Sequence, residues 1–164
     1  MTDNSCRLAG TPVPPSHAEA LTSVVRLLSR RDHSRRELVA KLQRKGHASA
    51  AIDYALSRCS QLGYLDDDRT ARTMAAHLAD RGYGPRYIRQ ALQQKGIGEQ
   101  SIASAMAGHD DETRQLQSAR QMLQKKQARL ERETDVRKRD QWAYRYLTGR
   151  GFAPSVIRQA IDDL

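Results

Sequence analysis

The sequence predicts an all-α fold, a three-helix unit repeated about three times in tandem. Three observations carry this. Apolar residues recur at helical spacing through most of the 164 residues, helix start and stop signals punctuate them, and two stretches match each other at a constant offset of 50 residues. The composition agrees: 38% hydrophobic and 5% aromatic residues suffice for small helical cores but are thin for one large core.

Taken in order, residues 1–17 hold Thr11-Pro12-Val13-Pro14-Pro15 without periodicity and are expected to be a flexible tail. The first repeat is expected over 18–63. Leu21, Val24, Val25 and Leu28 form the apolar stripe of its first helix. Ser34-Arg35-Arg36-Glu37 reads as a capping box opening the second, in which Ser34 bonds the Glu37 amide while the Glu37 side chain reaches back. Leu38 and Leu42 continue the stripe, and Gly46 offers a left-handed stop. Ile52, Ala55, Leu56 and Cys59 line one face of the third helix. Gly63-Tyr64-Leu65-Asp66-Asp67 closes the unit and caps the next helix.

The second repeat, 64–109, has the same layout. Ala71, Met74, Ala75 and Leu78 mark its first helix, and Gly84-Pro85 opens the second with Pro at N1. Ile88, Ala91 and Leu92 follow, Gly96 ends that helix, and Ile102, Ala105 and Met106 mark the third. At the offset of 50, Arg31, Leu42, Gln43, Lys45, Gly46, Ile52 and Ala55 match Arg81, Leu92, Gln93, Lys95, Gly96, Ile102 and Ala105. The third repeat, 110–164, shows itself at an offset of 69, where Arg150-Gly151-Phe152-Ala153-Pro154 echoes Arg81-Gly82-Tyr83-Gly84-Pro85. Residues 111–150 are charged and helical, with Leu116, Leu123 and Leu130 in heptad spacing. They read as two antiparallel helices breaking near Glu133-Thr134-Asp135, with a longer first helix for the third repeat, or as a short coiled coil.

Charge narrows the function. Lys and Arg number 28 against 19 Asp and Glu, a formal net charge of +9, which predicts attraction to a polyanion or an acidic protein surface. Cys6 and Cys59 are far apart and part of no metal-binding spacing or disulfide framework. No signal peptide or membrane-spanning run is present, so a cytoplasmic protein is expected. The run Asp66-Asp67-Asp68 lacks the alternating ligands of a calcium loop and reads as a helix cap. Gly82-Tyr83-Gly84 lacks the lysine of a phosphate loop. His33, His47, His77 and His109 are scattered, and His77 is expected to be a partly buried helix residue rather than a base. These absences argue against an enzyme and against any cofactor.

The candidate partner-binding residues are cations at equivalent places in the repeats. They are Arg31, Arg35, Arg36 and Lys45 in the first, Arg81, Arg86, Arg89 and Lys95 in the second, and Arg150 and Arg158 in the third. Recurrence at repeat-equivalent positions would form a basic stripe suited to a long polyanionic partner. The plainer alternative is that these arginines solvate helix faces and pair with Glu37 or Asp80. Tyr64, Tyr83 and Phe152 occupy unit corners and suggest packing, whereas Tyr87, beside Arg86 at an exposed helix start, is the aromatic interface candidate.

The segment Leu28-Ser29-Arg30-Arg31-Asp32-His33-Ser34-Arg35-Arg36-Glu37-Leu38, with Leu42 and Lys45-Gly46, resembles the opening unit of the bacterial regulatory RecX family. Gly63-Tyr64-Leu65-Asp66-Asp67 with Arg69 and Ala71, then Arg81-Gly82-Tyr83-Gly84-Pro85 and Lys95-Gly96-Ile97, follow in the family's order, and the resemblance covers about residues 18–164. It implies an elongated, curved molecule of three tandem three-helix repeats. It also implies a partner, the RecA recombinase filament on DNA, whose groove such proteins occupy. There they impede ATP turnover, strand exchange, filament growth and the coprotease activity of the SOS response. A monomer that binds single- or double-stranded DNA weakly is expected. The alternative is a general DNA-binding helical protein docked as a helix-turn-helix, although no single helix concentrates Arg, Asn and Gln at one end for base readout.

Overall fold

The helical period expected from the sequence is realised from Pro15 onward in a computed structural model that describes residues 14–164. All regular structure among them is α-helical. The first repeat holds α1 (Pro15–Leu28), α2 (Arg35–Arg44) and α3 (Ser49–Gln61). The second holds α4 (Asp67–Asp80), α5 (Pro85–Lys95) and α6 (Glu99–Met106). The third holds α7 (Glu112–Gln124), the single turn α8 (Gln127–Leu130), α9 (Val136–Gly149) and α10 (Pro154–Asp162).

The helix ends follow local chemistry. Pro15 sits in the first turn of α1, where a missing amide donor is harmless, so residues 15–17 of the expected tail are helical. Residues 1–13 of that stretch, including Cys6, lie outside the described residues. Asp66, Asp111 and Asp135 cap α4, α7 and α9 through their carboxylates, each accepting from backbone amides. Ser34 accepts from the Glu37 amide as the capping box requires (3.2 Å). Gly46 and Gly96 close α2 and α5 in the left-handed conformation, with φ of 81° and 78°.

Each repeat has its own core. In the first, Ala20 and Val24 of α1 meet Ala51, Ile52, Ala55, Leu56 and Cys59 of α3, with Leu38 and Leu42 from α2. The small alanines let α1 and α3 lie close, and this is the most extensive helix pair of the fold. The α1 stripe is rotated from the one expected, because Ala20 replaces Val25, which is 46% exposed. The second core joins Ala71, Ala75 and Leu78 to Ile88, Leu92, Ile102 and Met106. The third joins Leu123 and Leu130 to Leu147, Phe152, Val156 and Ile157. Burying each such Leu, Ile or Phe contributes about 1.5–3 kcal/mol.

The third repeat departs most from expectation. Residues 111–150 do not form a coiled coil: the break expected near Glu133-Thr134-Asp135 is present before α9, and a further interruption, not expected, follows Gln124. Leu123 and Leu130, two heptad positions, enter the repeat's own core instead. The turn that joins the first two helices of repeat two joins the last two of repeat three, and α10 packs against both α7 and α9.

By internal contacts the residues fall into two units. One runs to His33 and resumes over Leu38–Leu65; the other comprises Ser34–Glu37 and Asp66–Leu164. The second and third repeats therefore share a unit, together with the first turn of α2.

Candidate partner-binding surface

The seam between repeats two and three is built from the two matching Arg-Gly turns. The Gly84 amide donates to the Arg150 carbonyl (2.7 Å), and the Arg86 amide to the Gly151 carbonyl (3.1 Å). Arg150 Nη1 donates to the Arg81 carbonyl (2.8 Å). The main chains approach so closely that a Cβ on Gly84 would lie 2.6 Å from the Gly151 oxygen. Gly151 has φ of +85°, and a Cβ there would lie 2.3 Å from the Tyr87 nitrogen. Only glycine satisfies both demands.

Six side chains lie face to face across this seam. Tyr87 stacks on Tyr83 (centroids 4.1 Å apart), and the Arg150 guanidinium lies over both Tyr83 (4.8 Å) and Tyr146 (5.4 Å). Tyr146 stacks on Trp142 (5.1 Å), and Arg129 lies over the far end of the run, 4.8 Å from the Trp142 ring. Cation–π contacts of this kind contribute about 0.5–2 kcal/mol, the more so as water is excluded. Arg150 is therefore half-buried and engaged internally, and Tyr87 is half-buried rather than set on an exposed helix start.

The other candidates divide by environment. Arg81 and Arg86 are exposed beside the seam. Arg89 pairs with Glu99 (3.4 Å) and Asp110 (3.8 Å). At the start of α2, within the second unit, Lys95 Nζ meets the Glu37 carboxylate (2.8 Å), and the Ser34 hydroxyl donates to the Lys95 carbonyl (2.6 Å). Exposed Arg35 donates its amide to Asp67 (2.9 Å), and the Arg36 methylenes cover Gly96, where a Cβ would lie 2.4 Å from Cδ. Arg31 and Lys45 are exposed in the first unit, and Arg158 is exposed on α10. Among the described residues, Arg35, Arg36, Lys45, Arg81, Arg86 and Arg158 make no ion pair, leaving their charge available to a partner. The structure thus brings Arg35, Arg36 and Lys95 together at the start of α2, and Arg81, Arg86, Tyr87 and Arg150 at the seam.

Several smaller expectations change. Tyr64 is 58% exposed rather than packed in a corner, whereas Phe152 is buried. His77 is exposed, and the buried histidine is His33. Lys41 Nζ donates to His33 Nε2 (3.0 Å), so the ring's hydrogen lies on Nδ1 and is donated to the Arg31 carbonyl (2.8 Å). That ring pins a loop. Burial pushes the Cys59 thiol above its ordinary pKa. No cluster of three metal-ligating side chains occurs among the described residues, and none of their helices is long and apolar enough to cross a membrane.

The sequence offers Tyr146 among its tyrosines as a stacking or interface candidate but gives no such role to Trp142. The signal for Trp142 was present, since Lys138, Trp142, Tyr146 and Arg150 follow one another at i+4 along α9 and its C-cap.

Three family models match successive stretches of the chain: the first three-helix domain of RecX over residues 20–59, the second over 66–106 and the third over 112–161. The chain belongs to the RecX family. The regulatory protein RecX of Vibrio vulnificus (strain CMCP6) is 34% identical over 145 residues, covering 86% of this chain and 90% of that protein. Its counterpart from Chromobacterium violaceum is 35% identical over 135 residues, covering 82% and 84%. The crystal structure of RecX from Lactobacillus salivarius superposes with a TM-score of 0.80 over 91% of this chain and 96% of that one, and at 19% identity it shows the shared fold. A second crystal structure of regulatory protein RecX, at 27% identity, gives 0.78 over 91% and 72%. RecX is a family of regulatory proteins, and the three repeats are its three-helix domains.

Proposed function

We propose that this chain is a cytoplasmic regulator that occupies the groove of the RecA–DNA filament as a monomer and inhibits it without chemistry of its own. ATP turnover, strand exchange and the coprotease function would all fall, because one subunit touching several protomers holds them in one arrangement. The observation that carries this reading is the presence of all three RecX domains in order along the chain. The exposed, unpaired cations Arg35, Arg36, Lys45, Arg81, Arg86 and Arg158 support it, since a filament of protein and nucleic acid is polyanionic. The decisive assay is RecA-driven ATP hydrolysis on single-stranded DNA with increasing amounts of this protein. Inhibition at or below equimolar protein is expected, and its absence would refute the proposal. Charge reversal of Arg35, Arg36, Arg86 and Arg158 together is expected to weaken inhibition at least about tenfold while the helical content is kept. Inhibition unchanged in that variant would move the interface elsewhere.

A further inference from the structure

The run of stacked side chains ends in a cationic hollow that the repeat-equivalent residues do not include. Arg129, Leu130, Arg132, Glu133, Lys138, Arg139 and Trp142 line an open hollow of about 280 Å³, just under the volumes that hold small ligands whole. Four of these residues are cations. Lys138 and Arg139 are partly offset by Asp135 (3.9 Å) and Asp140 (3.3 Å), and the Glu133 carboxylate accepts the Asp135 amide (3.3 Å). Arg129 and Arg132 are exposed and have no carboxylate partner among the described residues. Arg129 also lies over the face of half-buried Trp142, whose ring is backed by Tyr146. A guanidinium held in this way presents a flat, cationic, π-rich surface beside further positive charge.

We propose that this hollow binds single-stranded nucleic acid, with one base stacked at the Arg129–Trp142 end and flanking phosphates held by Arg132, Lys138 and Arg139. Both halves of a nucleotide are answered, the planar base by the end of the stack and the phosphodiester by the cations. An acidic peptide would satisfy the cations but leave the stack end without a planar partner. A duplex hides its base faces, so only an unstacked strand fits. None of the residues lining the hollow is among the cations assigned to the recombinase, and the site is tested without recombinase, so either idea can fail alone.

Trp142 is the one tryptophan of the chain, which makes its emission a local reporter. The full-length protein is titrated against labelled single-stranded oligothymidylate, with anisotropy reporting binding and Trp142 fluorescence reporting place. Saturable binding with a parallel change in Trp142 emission is expected, and a duplex of equal length should bind more weakly. Replacing both Arg129 and Arg132 by Ala should weaken binding about tenfold or more. Lys138→Gln should weaken it less, and Arg72→Ala, on exposed α4, should leave it unchanged. All of these positions are exposed, so helical content should stay constant. Binding that leaves Trp142 emission unmoved, full affinity in the double variant, or equally effective competition by polyglutamate would each overturn the proposal.

Discussion

Replacing Gly84 by Ala tests the seam with a single methyl group. Gly84 and Gly98 are both N-caps with extended backbone, at φ, ψ of −81°, 167° and −68°, 152°, so neither needs glycine for its own conformation. A methyl on Gly98 meets nothing within 4 Å, whereas on Gly84 it would lie 2.6–2.7 Å from the Gly151 carbonyl and the Phe152 nitrogen. Those are main-chain atoms and cannot swing aside. The turns must part, stretching two backbone hydrogen bonds whose net contribution is about 0.5–1.5 kcal/mol each. With the strain of overpacking added, Gly84→Ala should destabilise the second unit by about 2–4 kcal/mol. For Gly98→Ala, a slightly poorer cap and a less flexible unfolded chain offset each other to within about 0.5 kcal/mol. Urea titration followed by far-ultraviolet circular dichroism and by Trp142 emission gives the comparison. A slope near 2 kcal/mol per molar converts the difference into about 1–2 M in midpoint. Midpoints for the two variants that coincide would show that the turn-to-turn approach has no energetic consequence, and the account of the seam would be wrong.

The caps give a graded series. Asp135 accepts from both the Arg137 and Lys138 amides, whereas Asp111 accepts from Arg114 alone. Asp135→Ala should therefore cost about 1–2 kcal/mol and Asp111→Ala about 1 kcal/mol or less by the same urea titration, and the reverse order would contradict the capping geometry. Cys59 is buried and its thiol pKa is raised by desolvation, so it should react with a thiol reagent only when α3 opens. Because the unfolded chain ionises at the lower, ordinary pKa, the thiol's contribution is fully present below 9.0 and is lost as pH rises toward the folded value. Cys59→Ala should flatten that alkaline loss of stability, measured by thermal melts across pH. Labelling of the native thiol as fast as that of the unfolded chain would refute the burial.

Most of the helices were legible because apolar spacing and caps agreed. The offset pairs Leu42–Leu92 and Ile52–Ile102 are all core residues, and Asp66 caps α4 as the acidic run implied. The break after Gln124 was not legible. Gln124-Lys125-Lys126-Gln127 are good helix formers without Gly or Pro, so local propensity favours continuation, and the interruption follows from tertiary packing of Leu123 and Leu130 into one core. The candidate surface was half legible. Charge count and repeat position found the cations but could not separate Arg86, which stays exposed, from Arg150, which is half-buried under two tyrosines. That distinction depends on which turns face one another. It is a long-range fact, between residues 69 positions apart.

The hydrogen bonds that join these turns have a consequence for how the chain can vary. Gly84 to Arg150 and Arg86 to Gly151 are main-chain pairs, so no side-chain substitution removes a donor or an acceptor, proline at position 84 or 86 excepted. The main-chain share of the recognition between the two repeats is therefore indifferent to the identity of the residues around it. It resembles a zip whose teeth are the same in every garment. Drift in the flanking side chains leaves these bonds in place, whereas a methyl where there should be hydrogen, at 84 or 151, jams them.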